Sequence, residues 1–145
     1  MILELTASIH RKELKKGNGD IFCEVRRSAD NTFIYVNWIG IQSLETIVMG
    51  GNQVLAMLRE KPCPAILNSN REQIGPWDNA ITWLAHKWAP QAKALGVRYY
   101  AHVLSHGIFG KRSFEKLMPE LNLLFMMKSF DDEALAEKWI SLQLA

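Results

Sequence analysis

From Ile21 onward, short apolar and β-branched runs alternate with stripes of helical period, an order that points to helices packed on a sheet. Ile21 to Arg27 and Thr32 to Ile39 flank Ser28-Ala29-Asp30-Asn31, a polar connection of hairpin length, so two antiparallel strands are expected there. Phe33, Tyr35 and Asn37 alternate with Ile34, Val36 and Trp38, which suits a pleated surface, and Gly40 ends the run. Ser43 then caps a helix whose Leu44, Ile47, Val48, Gly51, Leu55 and Leu58 recur at three- and four-residue steps, and Pro62 stops it. Gly50 and Gly51 each cost a helix interior about 1 kcal/mol relative to Ala. Close approach of another backbone would compensate; simple tolerance is the alternative.

Pro64 to Asn68 reads as a buried strand that emerges into a polar loop running to Trp77. A second helix carries Ile81, Leu84, Trp88, Ala92 and Leu95 on one stripe, with Gly96 closing it. Pro90 should kink or split that helix, because its ring removes a donor and crowds the carbonyl of His86. Val97 to Leu104 and Leu123 to Lys128 are further strands. Between them lies a short helix capped by Ser113, with Phe114, Leu117 and Met118 inward and Pro119 as its stop. The last helix starts near Asp131 or Asp132 and buries Leu135, Ala136, Trp139 and Ile140. At the N-terminus, Leu3 and Leu5 alternate with Glu4 and Thr6, an edge strand or extension that leads to the turn Gly17-Asn18-Gly19-Asp20. The expected fold is α/β: a mixed β-sheet with an N-terminal hairpin and later parallel strands joined by right-handed crossovers, covered by α-helices.

At 145 residues the chain suits a single domain, 1–145, and its 48% hydrophobic and 22% charged residues favour a packed core over disorder. Seventeen Lys and Arg against fifteen Asp and Glu leave a net charge of +2, too small for general attraction to nucleic acid or anionic membrane. The densest basic patch, Arg11, Lys12, Lys15 and Lys16, is interrupted by Glu13 and reads as a solvated face. No apolar run is long enough to span a bilayer and no signal-peptide core opens the chain, so a cytoplasmic location is expected. Cys23 and Cys63 do not form a disulfide framework and are read as reduced.

Several of these elements together resemble one family. They are Trp38-Ile39-Gly40 before the first helix, Trp88-Ala89-Pro90 in the second, Tyr100-Ala101-His102-Val103 in a strand, and Phe130-Asp131-Asp132 through Ala136 and Trp139-Ile140 at the end. Their order over residues 21–143 resembles the STAS domain of sulphate transporters and anti-sigma-factor antagonists, and more narrowly the stand-alone bacterial STAS-like proteins with a SpoIIAA-like fold, related to CRAL-TRIO lipid-exchange domains. In the antagonists of that family, the loop after the third strand carries a phosphorylatable serine within Asp-x-Ser, followed by Leu-Asp-Ser-x-Gly. The matching stretch here is Ile66-Leu67-Asn68-Ser69-Asn70-Arg71-Glu72-Gln73-Ile74-Gly75-Pro76-Trp77, with Ser69 the nearest serine. It lacks the aspartate and the small-residue turn, so the resemblance does not carry phosphoswitching to Ser69.

The candidate binding residues are Asn68, Ser69, Asn70, Arg71, Trp77 and Trp83. Ligands of open α/β sheets favour the crevice beyond the carboxyl ends of parallel strands. There the Asn and Ser side chains offer short hydrogen-bonding groups, Arg71 a planar cation and Trp77 a stacking face. The plainer reading is that Asn and Ser build turns and that Arg71 pairs with a neighbouring carboxylate. Trp77, Trp83 and Trp88 differ in helical phase, so one faces outward or lines a groove, and Trp83 is the candidate. Trp88 and Trp139 are assigned to the core. His102 and His106 stand four apart on a strand-to-loop segment, which does not place both imidazoles together as a zinc motif would, and hydrogen-bonded structural histidines are the default. No GxSxG, P-loop, GxGxxG or paired-cysteine signature occurs, so an enzyme is the minority reading and no metal or cofactor is expected. The functional expectation is a non-enzymatic STAS-like binding or regulatory module for a protein partner or small anionic ligand, compatible with self-association. The alternative is a carrier of a small apolar or lipid-like ligand, using space near Met118, Met126 and Trp83.

Overall fold

The computed structural model describes residues 11–145; the expected alternation at Leu3 to Thr6 lies outside the described residues. Three antiparallel strands come first: β1 (Arg11–Lys15), β2 (Ile21–Arg27) and β3 (Ile34–Ile41). The β2–β3 hairpin closes at Asn31, whose φ of 59° is left-handed, while the Ser28 hydroxyl accepts from the Thr32 and Phe33 amides. Helix α1 (Leu44–Glu60) follows, then β4 (Ala65–Ile74). Helix α2 is composite, made of a 3₁₀ turn Asp78–Ala80, an α turn Ile81–Trp83, a π turn Leu84–Trp88 and an α stretch Ala89–Ala94. Strand β5 (Tyr99–Val103), α3 (Ile108–Asn122), β6 (Met126–Phe130) and α4 (Glu133–Leu144) complete the chain.

The strands form one six-stranded sheet in sequence order, with β3 to β6 parallel. Parallel neighbours laid down in one direction through right-handed crossovers put every crossover helix on the same face. Accordingly α1, α2 and α3 share one core with Val25, Ile34, Val36, Ile66 and Tyr100. Helix α4 returns over the opposite face, where Ala136 and Ile140 pack on Tyr35, Leu67, Ala101 and Val103. The expected mixed, helix-covered sheet is what the chain forms. No helix among the described residues is long and apolar enough to cross a membrane.

Local chemistry explains most boundaries. Ser43 and Thr46 make a reciprocal capping box: the Thr46 amide donates to Ser43 Oγ and the Ser43 amide to Thr46 Oγ1. Asp132 caps α4 through the Leu135 amide at 2.8 Å. Gly50 and Gly51 admit aromatic rings, which is neither the close backbone nor the simple tolerance expected: a Cβ would lie 2.4 Å from Trp38 Cη2 at Gly50 and 2.7 Å from Trp83 Cη2 at Gly51. Pro90 splits α2 as expected, and the π turn before it widens the helix where the proline ring would otherwise meet the His86 carbonyl.

Four expectations are corrected. Strand β4 does not end at Asn68 but continues to Ile74, so the long polar loop is replaced by a short one. Helix α3 begins at Ile108 after Gly107, not at Ser113, because Ser113 is fully buried within the helix. The Ser113 hydroxyl accepts from the Trp77 amide and donates to Asp78 instead. Pro119 does not stop α3, since it lies on the solvent side of the last turns, where a freed carbonyl can be hydrated. Leu135 is 51% exposed, so α4 turns Ala136 and Ile140 inward without it.

Candidate functional site

Three adjacent parallel strands bring polar side chains to one place under the helices. In register, Val36 of β3 pairs with Asn68 of β4, and Asn68 with His102 of β5. Beyond that row the pairing slips. Ser69 stands opposite Asn37 but Glu72 opposite Ile39, so Asn70 and Arg71 together oppose Trp38. This is a β-bulge, a device that re-aims side chains at the end of a pairing. Its consequence is that Arg71 and Glu72, consecutive in sequence, both turn to the α4 side, Arg71 toward Glu133 at 3.9 Å and Glu72 accepting from Asn37 at 2.6 Å. Asn68, Asn70 and Gln73 face the other way, into a cavity of about 40 Å³.

That cavity lies between the sheet and α1 to α3. Trp38, Asn68, Asn70, Gln73, Trp77 and His102 line it beside apolar walls from Ile47, Leu84, Phe114 and Leu117. A directed hydrogen-bond chain crosses its floor. Trp38 Nε1 donates to Asn68 Oδ1 at 2.8 Å, which turns the Asn68 amide nitrogen toward His102 Nδ1 at 3.2 Å. Indole only donates, so Asn68 must offer N–H to the imidazole, and Nδ1 accepts. The His102 proton therefore sits on Nε2, which is buried without a hydrogen-bond partner among the described residues. Burial lowers the His102 pKa to about 3, keeping the ring neutral, and it stacks on Phe114 with centroids 3.6 Å apart. Trp77 Nε1 is likewise buried and unpartnered.

Among these residues there is no nucleophile paired with a base. Ser105 donates to Gln73 Oε1 at 3.1 Å and Ser113 to Asp78 Oδ1, so neither hydroxyl faces an imidazole acceptor. Burial pushes the Cys23 thiol up to about 12 and raises Cys63 as well, away from thiolate chemistry. The lining presents N–H donors and aromatic faces, which is chemistry for holding a molecule.

The candidate residues are thus divided by the sheet. Asn68, Asn70 and Trp77 meet at the cavity, whereas Ser69 is fully buried on the α4 side and Arg71 is exposed at the rim. The expectation that Asn68, Ser69, Asn70 and Arg71 form one polar loop fails because they belong to an interior strand whose side chains alternate between faces. Trp77 offers no open stacking face, being only 5% exposed. Trp83 is half-buried against Gly51, and Met118 and Met126 are exposed on the surface, so the apolar space expected around these three is not formed. The cavity is far smaller than the about 150 Å³ that accepts benzene. Sequence reasoning missed Trp38, Gln73 and the unpartnered edge of His102. The available clue was a histidine inside an apolar strand covered on both faces, where a polar group needs a partner.

A second feature lies outside the cavity at the same end of the sheet: an open groove lined by Arg71 to Gly75, His106 and Gly107. Ile41 and Ile74 are register neighbours at its border and are 66% and 61% exposed. Ile108 and Phe109, at the start of α3, are also exposed.

No family model matches the chain, and no curated protein matches it. A solved structure does: an uncharacterized protein of the DUF3478 family with a SpoIIAA-like fold, from Shewanella loihica PV-4. It is 17% identical, superposes with a TM-score of 0.57, and the match covers 81% of this chain and 91% of that one. The fold is SpoIIAA-like. The SpoIIAA-like part of the resemblance is therefore supported at the level of architecture.

Proposed function

We propose that this SpoIIAA-like domain is a non-enzymatic binding module that recognises a protein partner at the carboxyl-end rim of its parallel strands. The observation that carries the reading is the exposed apolar rim of Ile41, Ile74, Ile108 and Phe109 beside the groove. Apolar side chains gathered at a strand end, bordered by polar groups, mark interaction surfaces more often than chance exposure does. Lys16, whose Nζ reaches the Ile41 carbonyl, and exposed Arg71 and Glu72 in the groove border these apolar residues, so the matching partner presents apolar side chains flanked by charges of both signs. Arg71 is the member of the original candidate set that belongs to this surface.

Site-specific photo-crosslinking tests the reading. With the crosslinker at Ile74 or Ile108, one discrete protein should be captured in cells, and Phe109→Glu should abolish both that capture and binding of the purified partner. A crosslinker at Leu142 of α4, exposed on the other face, should not capture it. Equal capture from rim and α4 positions, or undiminished binding by Phe109→Glu, would overturn the proposal.

A further inference from the structure

The cavity shares Gln73 with the rim groove but otherwise has its own lining, and it poses a different question, because two N–H groups of its lining residues have no acceptor among the described residues. His102 and Trp77 are 1% and 5% exposed, both line the cavity, and His102 Nε2 and Trp77 Nε1 are unpartnered among the described residues. An orphaned buried donor costs its full desolvation penalty, so something with a lone pair belongs there. The lining side chains include no Lys or Arg. An anion would therefore lose its hydration without gaining a counter-charge, which makes a neutral acceptor the better match.

Water is the simplest neutral acceptor, but it brings two hydrogens that also need partners. Of the lining carboxamide oxygens, three already have donors, since Gln42 Oε1 accepts from Thr46, Asn68 Oδ1 from Trp38 and Gln73 Oε1 from Ser105, which leaves Asn70 Oδ1 for at most one of the two hydrogens. A carbonyl oxygen brings lone pairs and no hydrogens. The faces of Trp38, Tyr100 and Phe114 surround the remaining space with apolar surface, and about 40 Å³ admits only a few atoms. We propose that the cavity binds the carbonyl or carboxamide end of a small neutral molecule, its oxygen received by the N–H groups of His102 and Trp77. Asn68 and Trp38 are positioning residues in this site, since they hold His102 in the tautomer that donates from Nε2.

The test is a ¹H–¹⁵N NMR titration of the full chain with formamide, acetamide and acetone, alongside acetate and xenon as charged and apolar comparisons. Saturable movement of the Trp77 indole and His102 Nε2 resonances is expected with the three carbonyl compounds, with acetate much weaker. The Trp139 indole, on the opposite face, should stay fixed. Trp77→Phe keeps an aromatic ring but removes one donor, and should weaken acetamide binding about fivefold, as expected for the loss of one net hydrogen bond. If that variant does not fold, the His102 Nε2 response of the unaltered protein decides alone. No saturable response to any carbonyl compound, xenon binding without carbonyl binding, or acetate binding as tightly as acetamide would each overturn the proposal. None of these outcomes bears on the rim.

Discussion

Replacing Gly50 with Ala should destabilise the protein, although the same change at an open helical position would stabilise it. Helix propensity alone favours Ala by about 1 kcal/mol. Against that, the new Cβ would stand 2.4 Å from Trp38 Cη2, 2.7 Å from Cζ3 and 3.2 Å from Cys23 Sγ. Carbon atoms settle at about 3.5 to 4.0 Å, so the indole must retreat by about 1 Å. It has little freedom to do so, since Trp38 is 7% exposed and its Nε1 is held at 2.8 Å by Asn68. Overpacking of this kind costs about 1 to 3 kcal/mol, and a strained Trp38–Asn68 bond adds up to about 1 kcal/mol. The balance is a net loss of up to about 3 kcal/mol, read as a lowered urea midpoint at unchanged slope. Trp38→Phe removes the crowding ring atoms, so in that background Gly50→Ala should cost at least about 1 kcal/mol less, a coupling typical of residues in contact. Asn52→Ala, on the exposed side of α1, supplies the propensity effect without the clash. A Gly50→Ala protein more stable than the parent, or an equal cost in both Trp38 backgrounds, would refute the packing account.

Asp132→Ala should cost about 1 kcal/mol and speed amide exchange in the first turn of α4, because it removes the acceptor of the Leu135 amide. His102 has a folded pKa near 3 against about 6.5 unfolded, so only the unfolded chain takes up this proton between those values. Its contribution to stability is complete above pH 6.5 and declines as pH falls toward 3, by up to about 1.4 kcal/mol per unit. A denaturation series from pH 7 to 4 checks this, and an NMR titration of His102 near pH 6.5 in the native state would contradict it. Cys23 and Cys63, buried with raised pKa values, should resist a thiol reagent at pH 8 until denaturant is added. Rapid native labelling would show that one of them is reached.

The elements visible in the sequence were those whose local chemistry agrees with their place in the fold. The β2–β3 hairpin, the Ser43 cap, the break at Pro90 and the Asp132 cap depend on residues a few positions apart. Misplaced boundaries occur where a distant partner decides. Asn68-Ser69-Asn70-Arg71 has turn composition, yet pairing with β3, and with β5 along its first residues, makes it strand. Ser113 looks like a cap because short hydroxyl residues favour caps; here its hydroxyl serves the start of α2, 36 positions away at the Trp77 amide. The candidate site was half legible for the same reason. Asn68, Asn70 and Trp77 could be singled out by residue type, but the alternation that divides Asn68 and Asn70 from Arg71 follows only once this stretch pairs with β3 as strand.

The placement of polar groups in β4 argues that the cavity is more than a packing defect. An interior strand covered on both faces would gain stability from apolar residues at positions such as 68 and 70, and its first three residues, Ala65, Ile66 and Leu67, follow that rule. From Asn68 the strand departs from it, and two of the departures are supported from other elements: Trp38 and His102 for Asn68, Ser105 for Gln73. Such networks specify one arrangement when every member is satisfied and lose stability when one is not. Here the links through Asn68 and Gln73 are made, and the unpartnered His102 Nε2 and Trp77 Nε1 belong to residues that line the cavity. Polar residues kept where apolar ones would add stability, with two unused N–H donors on residues that line one cavity, fit a cavity that receives an acceptor.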